Sequence, residues 1–144
     1  MKKLIILCLS TFFCISLNAQ VKCSGGLFFK LEHKATRLNG SRAAVDFILT
    51  NKTGEDIDIN FLTNNSTITD NLGRTYSGRN LQFDFANTGY DNGMIPEKTS
   101  VKLRCIIYGL DERVKSLPIM LMKYKCSISN GDEWILMARK VKFE

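Results

Sequence analysis

The chain has 144 residues, 44% of them hydrophobic and 24% charged, with a formal net charge of +6, five cysteines and one histidine. That length suits a single domain with its own apolar core, and the weak clustering of charge gives no reason to expect a nucleic-acid partner. A lone histidine, with no Gly-x-Ser-x-Gly motif, phosphate loop or metal cluster, speaks against nucleophilic or zinc hydrolysis. The expectation is therefore a protein that is not an enzyme and needs no cofactor.

Met1-Lys2-Lys3 is a short positive start, and Leu4 to Leu17 is an apolar run interrupted only by Ser10 and Thr11. Asn18-Ala19-Gln20 then offers a cleavage point, which predicts a signal peptide over 1–19 and one domain over 20–144. The run of about fourteen residues is short of the roughly 20 that span a bilayer, so no transmembrane segment is expected in the mature chain. The protein is expected to be exported, to a periplasm or to the cell exterior. No cysteine follows small residues as lipid attachment requires. Cleavage removes Lys2 and Lys3 and leaves +4 of the +6. Residues 20–97 carry 8 basic and 9 acidic side chains, whereas residues 98–144 carry 10 and 5, a bias that reads first as a solvated sheet face and otherwise as one suited to anionic partners.

Cys23, Cys105 and Cys126 remain in a compartment where disulfides persist. The reading favours a Cys105–Cys126 bridge, with three free thiols as the alternative.

Along the mature chain, Leu27, Phe29 and Leu31 alternate into a first strand that ends near Leu38-Asn39-Gly40-Ser41. His33 lies on the same side and reads as a rim or core residue. Ala43, Val45, Phe47 and Leu49 form a second strand and Ile57, Ile59 and Phe61 a third, separated by the turn residues Asn51-Lys52-Thr53-Gly54. A further extended piece centres on Ile68, and Asp70-Asn71-Leu72-Gly73 is a reversal leading to Thr75-Tyr76. Asp56 and Asp58 would share one side of their strand, which keeps a glycan-acting enzyme as the least favoured reading. Ile57 and Ile59 on the opposite side make the pair a solvent face.

Leu81, Phe83 and Phe85 alternate before a loop reaching Gly93. There Asp84, Asn87, Asp91 and Asn92 are calcium-ligand candidates by residue type, without the spacing of an EF-hand, and no metal site is expected. Ile95-Pro96 leads into a strand bearing Val101, Leu103, Cys105 and Ile107, whose alternation would suit edge-strand pairing with another subunit. Residues 111–117 are expected to form one short helical turn before Pro118.

The closing hairpin runs from Ile119 to Ile128 and from Glu133 to Phe143. A two-residue Asn130-Gly131 turn would set Cys126 opposite Ile135, Tyr124 opposite Met137 and Met122 opposite Arg139 on the core side. The other side would carry Trp134 and Leu136 beside Lys123 and Lys125, a face read first as one covered by a loop, a bulge or the first strand, and otherwise as a candidate interaction face. Register follows from the turn, and a slip of one residue would exchange the two sides.

The segments Val45 to Thr53, with its Asn-x-Thr ending, Asp70 to Tyr76 as Asp-x-x-Gly-x-x-Tyr, Ile95-Pro96 through Ile107, and Ile119 to Phe143 resemble exported bacterial domains of unknown function. These are of the Bacteroides type and similar to the immunoprotective extracellular protein. The resemblance implies an all-β, immunoglobulin-like antiparallel β-sandwich of about seven to nine strands, and a binding or envelope role. The function expected is a non-catalytic binding module for a protein or glycan partner, monomeric in itself. A structural component assembled by edge-strand pairing is the alternative.

Overall fold

A computed structural model describes residues 20–143, so the expected signal peptide over 1–19 lies outside the described residues. The strands are β1 (Lys22–Ser24), β2 (Phe29–Asn39), β3 (Arg42–Asn51), β4 (Ile57–Phe61), β5 (Thr67–Thr69), β6 (Thr75–Tyr76), β7 (Leu81–Phe85), β8 (Asn92–Ile95), β9 (Ser100–Tyr108), β10 (Ser116–Cys126) and β11 (Trp134–Lys142). They form an immunoglobulin-like β-sandwich of two antiparallel sheets. The first, sheet A, has seven strands in the order β1-β11-β10-β4-β8, with β5 paired to β10 and β6 to β5. The second, sheet B, has four in the order β2-β3-β9-β7. The strand count exceeds the expected seven to nine because β1, only three residues long, is too short to show a period and β8 begins inside the stretch read as a loop.

The alternation read from the sequence builds the interior. Ala43, Val45, Phe47, Leu49, Leu103, Cys105 and Ile107 face inward from the centre of sheet B. Ile57, Ile59, Ile68, Met120, Met122 and Tyr124 meet them from sheet A. Rings tie the layers together: Phe61 stacks on Phe83 at 4.9 Å, and Phe29 meets Tyr124 edge-on at 5.4 Å. Such pairs add about 0.5–1.5 kcal/mol each beyond their buried area. Gly93 in β8 lies against Phe85, where a Cβ would clash with the edge of the ring.

Three local irregularities shape the sheets. In β2 the pairing moves from His33 opposite Phe47 to Ala35 opposite Asp46, so Lys34 is an extra, bulged residue. In the closing pair, Leu117 faces Val141 and Ile119 faces Arg139, with Pro118 and Lys140 between them. Pro118 has no N–H to donate, and Lys140 has a left-handed φ of 61°. The kink lets Leu117 and Met120, three apart, both point inward. Finally, one edge of β10 forks, pairing with β5 at Ile119 to Leu121 and with β4 at Tyr124 to Cys126. At the fork the buried Ser66 hydroxyl accepts the Lys123 N–H at 2.9 Å, and the Lys123 carbonyl accepts the Leu62 N–H at 2.9 Å.

Two expectations need correcting. Residues 111–117 form a turn rather than a helical turn: the Asp111 carbonyl accepts the Val114 N–H at 3.0 Å, Asp111 Oδ1 accepts the Arg113 N–H at 2.8 Å, and β10 already begins at Ser116. The strand bearing residues 101–107 is also not an edge. It is β9, hydrogen-bonded on both sides, to β3 and to β7, because its inward residues are apolar enough for the middle of a sheet.

Candidate functional site

The closing hairpin decides which residues reach the surface of sheet A. Tyr124 pairs with Trp134, Lys123 with Ile135 and Met122 with Leu136, a register displaced by three residues from a two-residue turn. The cause is Ser129. Its buried hydroxyl accepts the Cys126 N–H at 3.1 Å and donates to the Cys126 carbonyl at 2.9 Å, consuming the groups that would have extended the ladder. Residues 127–133 therefore form one wide turn, within which Asn130 and Gly131 keep their left-handed conformations. An odd displacement exchanges the faces of β11 while leaving those of β10 in place.

The candidate face is corrected accordingly. Leu136 is 0% exposed in the core. Trp134 turns inward at the rim, where Phe28 covers it edge-on at 4.9 Å. Lys123 and Lys125 do stay on the outer side, with Lys123 Nζ 4.0 Å from Glu133. The positions vacated by Trp134 and Leu136 are taken by Ile135, 41% exposed, and Met137. Through the ladders, Leu121 lies opposite Met137 on one side and Thr67 on the other, and Ile119 opposite Arg139 and Thr69. Lys22 of β1 lies beside Arg139, whose Nε donates to Met137 Sδ at 3.3 Å. The outer face of sheet A is thus an apolar strip of Ile119, Leu121, Ile135 and Met137, bordered by Lys22, Arg139, Lys123 and Lys125. Ile119, Leu121 and Met137 carry no signal in composition. Only the Ser129-dependent register brings Ile135 and Met137 to this side.

The calcium candidates are engaged in building the loop between β7 and β8. Asp84 Oδ1 accepts the Gly89 N–H at 2.9 Å, and Asn92 donates to Asp91 Oδ1 at 3.1 Å. Asn87 takes a left-handed φ of 60°. Among the described residues no three of His, Cys, Asp or Glu gather as a metal site. His33 shares a 2.7 Å hydrogen bond with Thr36 and packs edge-on against Phe47 at 5.9 Å.

The Cys105–Cys126 bridge is not formed. Cys23, Cys105 and Cys126 are all free, and Cys105 and Cys126 belong to different sheets. Cys105 is fully buried between Val45 and Phe83, and burial pushes its thiol pKa up. Cys23 is also raised, burial outweighing its hydrogen bond with the His33 backbone. A thiol-directed maleimide is therefore expected to label Cys23 and Cys126 in the native protein and to reach Cys105 only after unfolding, since the thiolate is the reactive form. Mass spectrometry under non-reducing denaturation should count three labels. One label would mean a bridge.

The two motifs that carried the family resemblance are structural. Asn51 and Asp70, both buried, spend their side chains on backbone groups of the surrounding loops and on the Thr53 and Tyr76 hydroxyls.

No family model matches the sequence, and no curated protein matches it. Among solved structures, the chain is similar to the copper-bound PCuAC domain from PmoF2, with a TM-score of 0.52 and 16% identity, covering 85% of this chain and 99% of that one. It is also similar to the ASH/PapD-like domain of human CEP192, with a TM-score of 0.41 and 12% identity over 88% of both chains. A family 123 glycoside hydrolase from Clostridium perfringens gives a TM-score of 0.44 and 8% identity, over 87% of this chain and 26% of that one. At 16% identity the likeness to the PCuAC domain is one of fold alone. Among the described residues no helix is long and apolar enough to cross a membrane.

Proposed function

We propose that the chain is an exported, non-catalytic binding module of the bacterial envelope or cell exterior that docks an acidic protein partner on the outer face of sheet A. The observation that carries this reading is the apolar strip of Ile119, Leu121, Ile135 and Met137 inside a border of Lys22, Arg139, Lys123 and Lys125. An apolar centre with a polar rim is the anatomy of a protein interface. The charge of the rim selects the partner: a second copy in two-fold symmetry would set cations against cations, whereas acidic side chains around an apolar centre would complement it. A lipid surface suits the face less well, because the strip lies among the lysines and carries no aromatic side chain.

A non-catalytic role is supported by the only histidine, which shares its Nε2 with Thr36 and lies against the core.

A photoreactive amino acid at position 135 tests the reading in the native envelope, with one at position 50 on sheet B as control. We expect one dominant protein adduct, specific to position 135 and acidic in composition, that disappears with Lys123→Glu and Lys125→Glu together. The same adducts from both positions, adducts to phospholipid, or none at all would refute the acidic-partner reading.

A further inference from the structure

The four-stranded sheet carries a second concavity, on its outer surface, distant in the fold from the docking strip. It encloses about 340 Å³ and is bordered by Lys34, Arg37, Asp46, Asn87, Lys102 and Arg104. The bulge in β2 helps to make it. Because Lys34 is an extra residue, Lys34 and Ala35 follow one another on the outer side, and Arg37 comes up beside Asp46. Lys102 and Arg104 rise from the central strand β9, where they pair with Ile48 and Asp46. Asn87 arrives from the loop after β7, placed by the Ala86 N–H donating to the Lys102 carbonyl at 2.8 Å.

Four cations therefore surround one carboxylate. Asp46 accepts from Arg104 Nε at 2.6 Å and from Nη2 at 3.1 Å, and Arg37 Nη2 lies 3.8 Å from its Oδ2. Lys34 and Lys102 form no ion pair among the described residues. The bidentate pair holds the Arg104 fork rigid at the floor and leaves its outer N–H groups free. We propose that this concavity is a binding site for a small polyanion, a ligand presenting two or more sulfate, phosphate or carboxylate groups. The lining sets four cations against Asp46, with Asp84 of β7 opposite Arg104 just beyond it, which leaves charge enough for a ligand with at least two anionic groups, and the volume lies near the lower end of ligand pockets, about 300–1,000 Å³. Asp46 is the internal counter-charge that the ligand must compete with, so removing its charge should strengthen binding.

The test is a titration of the isotopically labelled protein followed by amide NMR, with inorganic pyrophosphate and a disulfated disaccharide as probes and the unsulfated disaccharide as control. Saturable shifts are expected at residues 34–37, 46, 87 and 102–104 with at least one charged probe, and which probe responds separates phosphate from sulfated-sugar ligands. Lys102→Ala with Arg37→Ala, both at exposed positions, should weaken binding at least tenfold. Asp46→Asn should tighten it several-fold, while Asp58→Asn, the same charge change on sheet A, should leave it within twofold. Equal tightening by the two neutralisations, shifts spread over both sheets, or no saturable shift with either probe would overturn the proposal.

Discussion

Replacing Asp70 by alanine is expected to cost about 3 kcal/mol of folding stability, the loss of a buried, fully hydrogen-bonded carboxylate whose partners are then left unpaired. Asp70 is 2% exposed. It accepts the Tyr76 hydroxyl at 2.6 Å, the Leu72 N–H at 2.8 Å and the Arg74 N–H at 3.0 Å. Alanine would leave a buried phenol and two backbone donors without acceptors. Tyr76→Phe removes one of those bonds and should cost only about 1 kcal/mol. Burial pushes the Asp70 carboxyl up, but the hydrogen bonds from Tyr76, Arg74 and Leu72 and the Arg74 charge outweigh it and leave the pKa below its ordinary value. A depressed carboxylate contributes its full stability above the unfolded-state pKa, about 3.9, and loses it as pH falls through the folded-state value. Wild-type stability should therefore drop with acid over that interval, and Asp70→Ala should flatten the drop. Tyr76 sets the opposite limit. Burial and then the Asp70 bond raise it to about 12, so its contribution is whole below the ordinary phenol pKa, about 10, and fades as pH rises towards 12. Urea denaturation across pH measures both arms, and an unchanged acid slope in Asp70→Ala would contradict the argument.

Asn51→Asp changes only an amide to a carboxyl, yet should destabilise the fold by more than about 3 kcal/mol at neutral pH. Asn51 Nδ2 donates to the Glu55 carbonyl at 2.7 Å and the Ile95 carbonyl at 3.0 Å, and Oδ1 accepts the Thr53 N–H and hydroxyl at 2.9 and 2.7 Å. A carboxylate would keep the two bonds it receives and point its other oxygen at carbonyl oxygens in a site 0% exposed to water. Burial and those carbonyls would raise its pKa in the folded state. The sign is then fixed: the variant is most stable below the unfolded aspartate pKa, where one proton can donate, and weakens as pH rises through the folded value. Asn51→Ala, which adds no charge, should be milder and independent of pH. Thermal melts of the two variants at acid and neutral pH distinguish these outcomes.

Most of the interior was legible because period-two alternation and burial are the same fact seen twice. Val45, Phe47, Ile57, Ile59, Phe83 and Leu103 all lie where alternation places them. Asn51 and Asp70 were legible only as turn chemistry. Their depth depends on carbonyls and N–H groups brought in by the folded loops, Ile95 being 44 residues away from Asn51. The interaction face was misplaced by one hydroxyl. Asn130-Gly131 is a strong turn signal and does take the turn conformation, but Ser129 binds Cys126 and widens the loop, and nothing in the residue pattern announces that competition. The disulfide reading failed for a related reason, since both cysteines sit on strands but on different sheets. The basic concavity was invisible because Lys34, Arg37, Lys102 and Arg104 come from two strands some seventy residues apart.

The pairing of β1 with β11, Lys22 opposite Arg139, has a consequence for the order in which the polypeptide can mature. A ribosome delivers residues 22–24 more than a hundred residues before their hydrogen-bonding partners Met137 to Arg139, so β1 must wait, unzipped, while the strands between are made. Contacts of such long sequence separation slow folding. The protein should therefore remain threadable until β11 is made, and a chain truncated before Trp134 should stay protease-sensitive at β1.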